Sequence, residues 1–286
     1  MKDARVALAQ VTCINGDLET NLAKHREFAL LASDQGAQII CFPECSLTGY
    51  PRYEADNAQD HIQPLNGTLG QAMADLSRET SMVVMAGMME KGTQGIYNSQ
   101  LVAAEGEILG VYRKTHITTQ EGLLFNAGNQ LPVFEHQQVN YGILICYDNH
   151  YPEAARTLAL RGADVIFCPY ASPGPCTQEG YESKQARWLR YQSARAFDNS
   201  IYTCLVNQIG DSENKQSPEE HESITSTPED THTELREFPG GSMVVSPWGK
   251  VIARAKPESE DLLIVDLEAK PLNRKHQDEI NFFTRW

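Results

Sequence analysis

The sequence predicts an α/β protein made of two similar halves, and three observations carry that expectation. Short apolar runs alternate along the chain with segments of helical period. Several of these runs are apolar at every position rather than at alternate ones, as strands covered on both faces are. One helix-to-strand pattern also occurs twice. Gln35-Gly36-Ala37-Gln38-Ile39-Ile40-Cys41-Phe42-Pro43 is echoed 126 positions later by Arg161-Gly162-Ala163-Asp164-Val165-Ile166-Phe167-Cys168-Pro169.

Taken in order, Arg5 to Val11 alternates and is β-branched enough for a first strand. Leu18, Leu22, Phe28, Ala29 and Ala32 then fall on one face of a helix from about Asp17 to Asp34, stopped by Gly36. Ile39 to Phe42, ended by Pro43, is a short strand with no polar face. A helix over Leu69 to Thr80, a strand over Met82 to Gly87 and a strand pair within Tyr97 to Val111 follow. Ile143 to Ile145 predicts a strand, and Pro152-Glu153 opens a helix, proline being suited to a first turn. After the second Gly-Ala-to-Pro unit come a helix over Lys184 to Asp198 and a strand over Ile201 to Val206. Gly241 to Ala253 reads as a hairpin turning at Pro247 to Gly249, and Leu262 to Leu267 as a last strand.

The chain has 286 residues, enough for a full core, and is expected to form a single domain over residues 1–286. Its formal charge of -14 lacks the basic footprint that phosphate neutralisation needs, so no nucleic-acid partner is expected. No apolar run approaches the roughly 20 residues that span a bilayer, and the polar start Met1-Lys2-Asp3-Ala4-Arg5 has no signal core. A cytoplasmic protein without membrane partners is the expectation. Seven cysteines, an odd number in mostly apolar surroundings, read as reduced thiols. No Cys-x-x-Cys or His-x-x-x-His pair occurs, so neither a metal nor another cofactor is expected.

Residues 211–237 interrupt the series. Nine acidic residues there face Lys215 and Arg236, a net of -7 and half of the chain's -14. With Pro218, Pro228 and few apolar side chains, the segment cannot offset its own ordering entropy and is expected to be a mobile acidic surface insertion. A lid or docking segment is the sharper alternative.

Three short segments place reactive side chains at the ends of apolar strands, where clefts open in α/β sheets. Phe42-Pro43-Glu44-Cys45 puts a carboxylate directly behind a buried strand, a candidate general base. Tyr112-Arg113-Lys114-Thr115-His116 offers Lys114 as an oxyanion stabiliser, with Glu121 seven residues on to orient it and His116 as another possible base. Ile145-Cys146-Tyr147-Asp148, running into Tyr151-Pro152-Glu153, sets Cys146 on a strand-to-helix turn that exposes a nucleophile near backbone donors. Each has an ordinary structural reading too: a solvated strand-end acid, a solvated charge pair, a buried inert thiol.

Together these segments resemble the nitrilase, or carbon–nitrogen hydrolase, superfamily, whose Phe-Pro-Glu, Tyr-Arg-Lys-x-His and Ile-Cys-Tyr-Asp signatures appear here in order. The Asn21-bearing helix, Gly162-Ala163, Arg195 to Asn199 and Gly240-Gly241-Ser242 extend the similarity over nearly the whole chain. The resemblance implies a four-layer α-β-β-α sandwich that pairs with a second subunit, as a homodimer or larger homo-oligomer. It implies Cys146 as nucleophile, Glu44 as general base, Lys114 as oxyanion stabiliser and Glu121 as a second, orienting glutamate. The acidic segment at 211–237 departs from the family's common pattern.

Substrate contacts implied by the resemblance fall on Asn149, His150 and Tyr170. None is arginine, so a neutral or weakly polar small linear amide is expected over an N-carbamoyl amino acid. Tyr147-Asp148 after the cysteine, rather than Trp-Glu, favours the amidase-like branch over a nitrilase. A catalytically idle dimeric binding protein and a papain-like Cys146–His pairing are the competing classes.

Overall fold

The computed structural model describes residues 1–51, 61–175, 177–211, 236–257 and 259–272. Its first half runs β1 (Ala4–Gln10), α1 (Leu18–Asp34), β2 (Ile39–Cys41), α2 (Thr68–Thr80), β3 (Val83–Lys91), β4 (Ile96–Ala104) and β5 (Glu107–Arg113). The second runs β6 (Phe134–His136), β7 (Val139–Ile143), α3 (Pro152–Leu160), β8 (Val165–Tyr170), β9 (Gly174–Pro175), α4 (Gln178–Asn199) and β10 (Tyr202–Asn207). β11 (Ile209–Asp211), β12 (Arg236–Pro239), β13 (Met243–Val245), β14 (Val251–Arg254) and β15 (Asp261–Leu267) complete it.

These strands make two six-stranded sheets, ordered β15-β1-β2-β3-β4-β5 and β14-β13-β10-β8-β7-β6. The internal echo in the sequence is explained by their plan. β1, β2 and β3 pair in parallel and continue into antiparallel β4 and β5. In the same way β7, β8 and β10 are parallel and continue into antiparallel β13 and β14. Each sheet is closed on its first strand by an antiparallel edge, β15 or β6. The repeated Gly-Ala-to-Pro units are β2 and β8, equivalent strands of the two halves.

Side-chain alternation then builds four layers. Val6 and Leu8 of β1 share an inter-sheet core with Tyr141, Ile143, Phe167 and Cys204 of the second sheet. Ala7 and Ala9 turn the other way, to Phe28, Ala29 and Ala32 of α1 and Leu69, Met73 and Leu76 of α2. On the far side, α3 and α4 cover the second sheet through Leu158 and Trp188. The result is an α-β-β-α sandwich, and no described helix is long and apolar enough to cross a membrane.

Several boundaries differ from the sequence expectation. β7 ends at Ile143, because the Ile145 amide bonds to the Asp148 carboxylate (2.9 Å) instead of continuing the ladder. α4 begins six residues before Lys184, capped by the Thr177 hydroxyl, which accepts from the Gly180 amide (3.0 Å). The small sheet β11-β12-β9 was not anticipated. It also corrects the limits of the acidic insertion: Asp211 pairs with Glu237 across β11 and β12, so both ends of that segment are strand. Residues 212–235, the body of the expected insertion, lie outside the described residues.

Behind the end of β2, α1 buries His25. Its Nδ1 lies 2.7 Å from the Asn21 carbonyl, its Nε2 2.9 Å from the Ser46 hydroxyl, and its ring packs on Phe42 at 4.0 Å. Burial lowers its pKa to about 4, against the hydrogen bond to Asn21, which favours the charged ring. An unfolded histidine takes up its proton near pH 6.5, so between these values the unfolded chain binds more protons. The neutral ring's contribution is therefore complete above about pH 6.5 and is lost as pH falls toward about 4, an expected loss of about 3 kcal/mol. Urea unfolding from pH 7 to pH 4 reads this, and His25→Gln should flatten that part of the profile.

Candidate active site

Each expected reactive residue sits just beyond a strand end, and local structure explains why. Glu44 follows Pro43 in a tight loop whose next residue, Cys45, has φ of +51°. The loop lies directly against β3, and only glycine permits this: a Cβ on Gly87 would come within 2.2 Å of the Cys45 nitrogen. The Leu47 amide donates to the Gly87 carbonyl (2.8 Å) and the Gly87 amide to the Ser46 hydroxyl (3.1 Å), which fixes the carboxylate's position.

At the end of β5, successive side chains point to opposite sides. Arg113 pairs with the buried Glu90 at 2.8 and 2.5 Å and lies over the Tyr97 ring. Lys114, only 1% exposed, turns inward. Its ammonium donates to Glu44 Oε1 (2.8 Å) and to Glu121 Oε1 (2.5 Å). Two buried carboxylates around one cation need further donors, and they have them. Asn98 of β4 donates to Glu44 Oε1 (2.7 Å), and the Ala171 amide beyond β8 donates to Glu44 Oε2 (2.7 Å). The Tyr50 hydroxyl donates to Glu121 Oε1 (3.1 Å) and the Thr118 amide to Glu121 Oε2 (2.9 Å).

Cys146 opens a 3-10 turn, Cys146–His150, with φ of +42°, a left-handed value that is costly for a residue with a Cβ. Among the described cysteines it is the one that is not buried. Asp148 ties this turn to the lysine segment. Its carboxylate accepts from the Tyr112 hydroxyl (2.7 Å), the Thr115 hydroxyl (2.9 Å), the His116 amide (2.8 Å) and the Ile145 amide (2.9 Å). The second and third signature segments are thus one hydrogen-bonded unit, and Lys114 and Cys146 are held at its two ends.

The electrostatics follow from burial. Burial raises the pKa of Glu44, and Glu121 adds to this against the pull of Lys114. Burial works against the charge on Lys114, but Glu44, Cys146 and Glu121 outweigh it and hold the ammonium well above its ordinary value. Partial burial and then the Glu44 carboxylate push the Cys146 thiol up, opposed by Lys114 and Lys184. A thiol and a carboxylate with raised proton affinity and a fixed ammonium are therefore electrostatically coupled. Such a set can transfer a proton from sulfur to carboxylate and meet a developing oxyanion with the ammonium.

The residues expected to touch substrate separate. Tyr170 is buried at the site, edge-on to Trp188 at 5.6 Å, and interacts electrostatically with Cys146. His150 is exposed between the Tyr147 and Tyr191 rings, at 4.8 and 4.6 Å. Asn149 has another role: its Nδ2 donates to the Leu144 and Cys146 carbonyls (3.1 Å each), and its Oδ1 accepts from Cys168 and Gln192 (3.2 Å each). Its nitrogen is thus committed to the turn and its oxygen to β8 and α4, so Asn149 ties the Cys146 turn to the second sheet and its helix. His116 gives Nδ1 to Asp148 (2.9 Å) and stacks its ring on Tyr151 (3.9 Å). Asn98, Tyr50 and Asp148 were missed from sequence; the polar run Asn98-Ser99-Gln100 inside a strand was the available signal, since a buried polar side chain needs a partner.

A protein-family model described as carbon-nitrogen hydrolase matches residues 5–274. The chain is 27% identical over 279 residues to a nitrilase of Pyrococcus abyssi, covering 97% of this chain and 94% of that protein. It is 30% identical over 280 residues to an N-carbamoylputrescine amidase of Solanum tuberosum, covering 94% and 88%. A solved mutant of the amidase from Nesterenkonia sp. AN1, with acrylamide added to its active-site cysteine, superposes with a TM-score of 0.74. It is 26% identical, with 98% of this chain and 99% of that one covered.

Proposed function

The chain belongs to the carbon–nitrogen hydrolase family, and on that premise we propose that it hydrolyses a small linear amide through a thioester on Cys146. In this reading Glu44 takes the thiol proton and the sulfur attacks the carbonyl carbon. Lys114 stabilises the oxyanion of the tetrahedral intermediate. Protonated Glu44 returns the proton to the departing nitrogen, and ammonia or an amine leaves. Glu44 then deprotonates a water, whose attack on the thioester releases the acid and restores the thiol. Glu121 holds the ammonium of Lys114 and touches no reacting atom. Tyr170 is proposed to wall the acyl pocket and His150 to line its outer rim.

One observation carries this reading: a fully buried ammonium bridges two carboxylates and interacts with the only described cysteine that is not buried. An inert binding protein has no use for that arrangement, which costs desolvation of three charges. The named relatives divide between nitrilase and amidase, and Tyr147-Asp148 supports the amide branch.

An ammonia-release screen over primary amides, ureido compounds and nitriles tests it, and amide turnover is expected to lead. Nitrile turnover ahead of amide turnover would overturn the branch. Iodoacetamide should alkylate Cys146 ahead of the other six cysteines; uniform labelling with no ammonia from any class would leave the idle binding protein.

A further inference from the structure

Asn98 stands on β4, inside the first sheet between β3 and β5, and is buried. Its contacts run to both segments that carry Glu44 and Lys114. Nδ2 donates to Glu44 Oε1 at 2.7 Å and lies 3.5 Å from Glu121 Oε1. The Asn98 backbone carbonyl accepts from the Lys114 amide (2.9 Å). Oδ1 accepts from the thiol of Cys45, the residue after Glu44, with the sulfur 3.6 Å away. Burial and then the Glu44 carboxylate push that thiol up, so it remains a donor.

The amide is therefore oriented from both ends. Turned over, it would set its oxygen against two carboxylates and its N–H groups against a thiol proton. Asp148 joins the lysine segment to the Cys146 turn, and Asn98 joins the Glu44 loop to the lysine segment.

Glu44 and Glu121 share one ammonium, so this buried cluster of three carries a net negative charge. Burial and the Glu121 charge raise the proton affinity of Glu44, and Lys114 and Asn98 oppose them. A general base that already holds a proton at rest cannot take one from the thiol. Lys114 divides its hold, because the same ammonium is bonded to Glu121 and meets the oxyanion in the proposed reaction. Asn98 is a neutral donor, closer to Glu44 than to Glu121, and a hydrogen bond to a carboxylate favours its charged form.

We propose that Asn98 is a positioning residue for the general base, holding the Glu44 carboxylate in place and free of a proton while Lys114 serves the oxyanion. The proposal rests on the hydrolase reading, in which Glu44 takes the thiol proton. Asn98 acts only through Glu44, and the bond-breaking groups remain Cys146, Glu44 and Lys114.

Asn98→Leu and Asn98→Ser test it on the full-length protein. Leucine keeps the branch at Cγ and fills the space without a donor. Serine ends one bond short of the amide nitrogen and is the milder change. The first readout is the pH dependence of Cys146 alkylation by iodoacetamide, which needs no turnover. A sulfur–carbon bond forms, iodide leaves and the thiol proton passes to Glu44, so the rate falls below the pH at which Glu44 is protonated. Losing a bond to the charged form raises that pH. The acid limb should move up by about one pH unit in Asn98→Leu, a tenfold slower reaction on the limb, and about half a unit in Asn98→Ser. The second readout is the acid limb of kcat/KM for primary amides, which should move equally, with the loss in kcat and not in KM.

Limbs at their wild-type positions in Asn98→Leu overturn the proposal, and Asn98→Ser decides in the same way if the leucine variant does not fold. Lower rates with unmoved limbs overturn it as well, because Asn98 would then only support the fold. A moved alkylation limb in a protein that releases no ammonia from amides, ureido compounds or nitriles overturns the hydrolase reading, while the hold of Asn98 on Glu44 stands.

Discussion

Replacing Lys114 with methionine is expected to destabilise the fold by about 3–5 kcal/mol and to reduce amide turnover by about a thousandfold. Methionine keeps most of the volume and removes the charge. Glu44 and Glu121, both essentially inaccessible to water, would then face each other with no cation between them. The remaining donors, Asn98, Tyr50 and the amides of Thr118 and Ala171, are dipoles and cannot replace a full charge. The pair would respond by keeping one proton, so Glu44 would be lost as a base along with the oxyanion stabiliser. The stability deficit should narrow as pH falls through the ordinary carboxylate range near 4, where the second carboxylate is neutralised as well. Adding Glu121→Gln should recover part of the stability but none of the turnover. Urea midpoints and ammonia release on the three variants read this; a single variant as stable as wild type would show that the ammonium contributes nothing to the fold.

The second large effect concerns Cys146 itself. Cys146→Ala and Cys146→Gly should each lower ammonia release by about 10⁴-fold or more, because the other described thiols are buried. Their stabilities should differ. At φ of +42° alanine retains the Cβ clash that cysteine has, whereas glycine is free of it. The glycine variant should therefore be more stable than the alanine variant by about 1 kcal/mol, measured as a difference in urea midpoints. Equal stabilities would mean that the turn stores no strain at this residue. A more stable, inactive glycine variant would show that the nucleophile's position is held against its own backbone preference by Asp148 and Asn149.

Much of the fold was legible because its signals are local. Apolar runs such as Ile39 to Cys41 and Val165 to Cys168 lie inside the sheets, and glycine or proline marks their limits. The elements that escaped lack such signals. β9 is Gly174–Pro175 alone, and β12 is four residues, both defined by their partners across the small sheet. The first turn and a half of α4 is mostly polar and exposed, with Tyr181 alone half-buried among its larger side chains, so no apolar stripe announces it.

The site divides in the same way. Glu44, Lys114 and Cys146 could be picked out because each follows a readable strand. The residues that hold them could not, because their contacts span long stretches of chain: Asn98 reaches Glu44, Asp148 reaches Tyr112, and Ala171 reaches Glu44.

The duplicated strand plan makes turnover a test of docking between the halves. Glu44, Lys114 and Glu121 belong to the first sheet's half and Cys146 to the second's, so neither half alone holds all four groups of the proposed mechanism. The last strand, β15, crosses back to pair with β1, which makes the end of the chain a clasp across that division. A polypeptide cut beyond Glu121 in the connection between β5 and β6 would therefore regain catalysis only by fragment complementation, and the rate recovered would measure how tightly the two pieces reassemble.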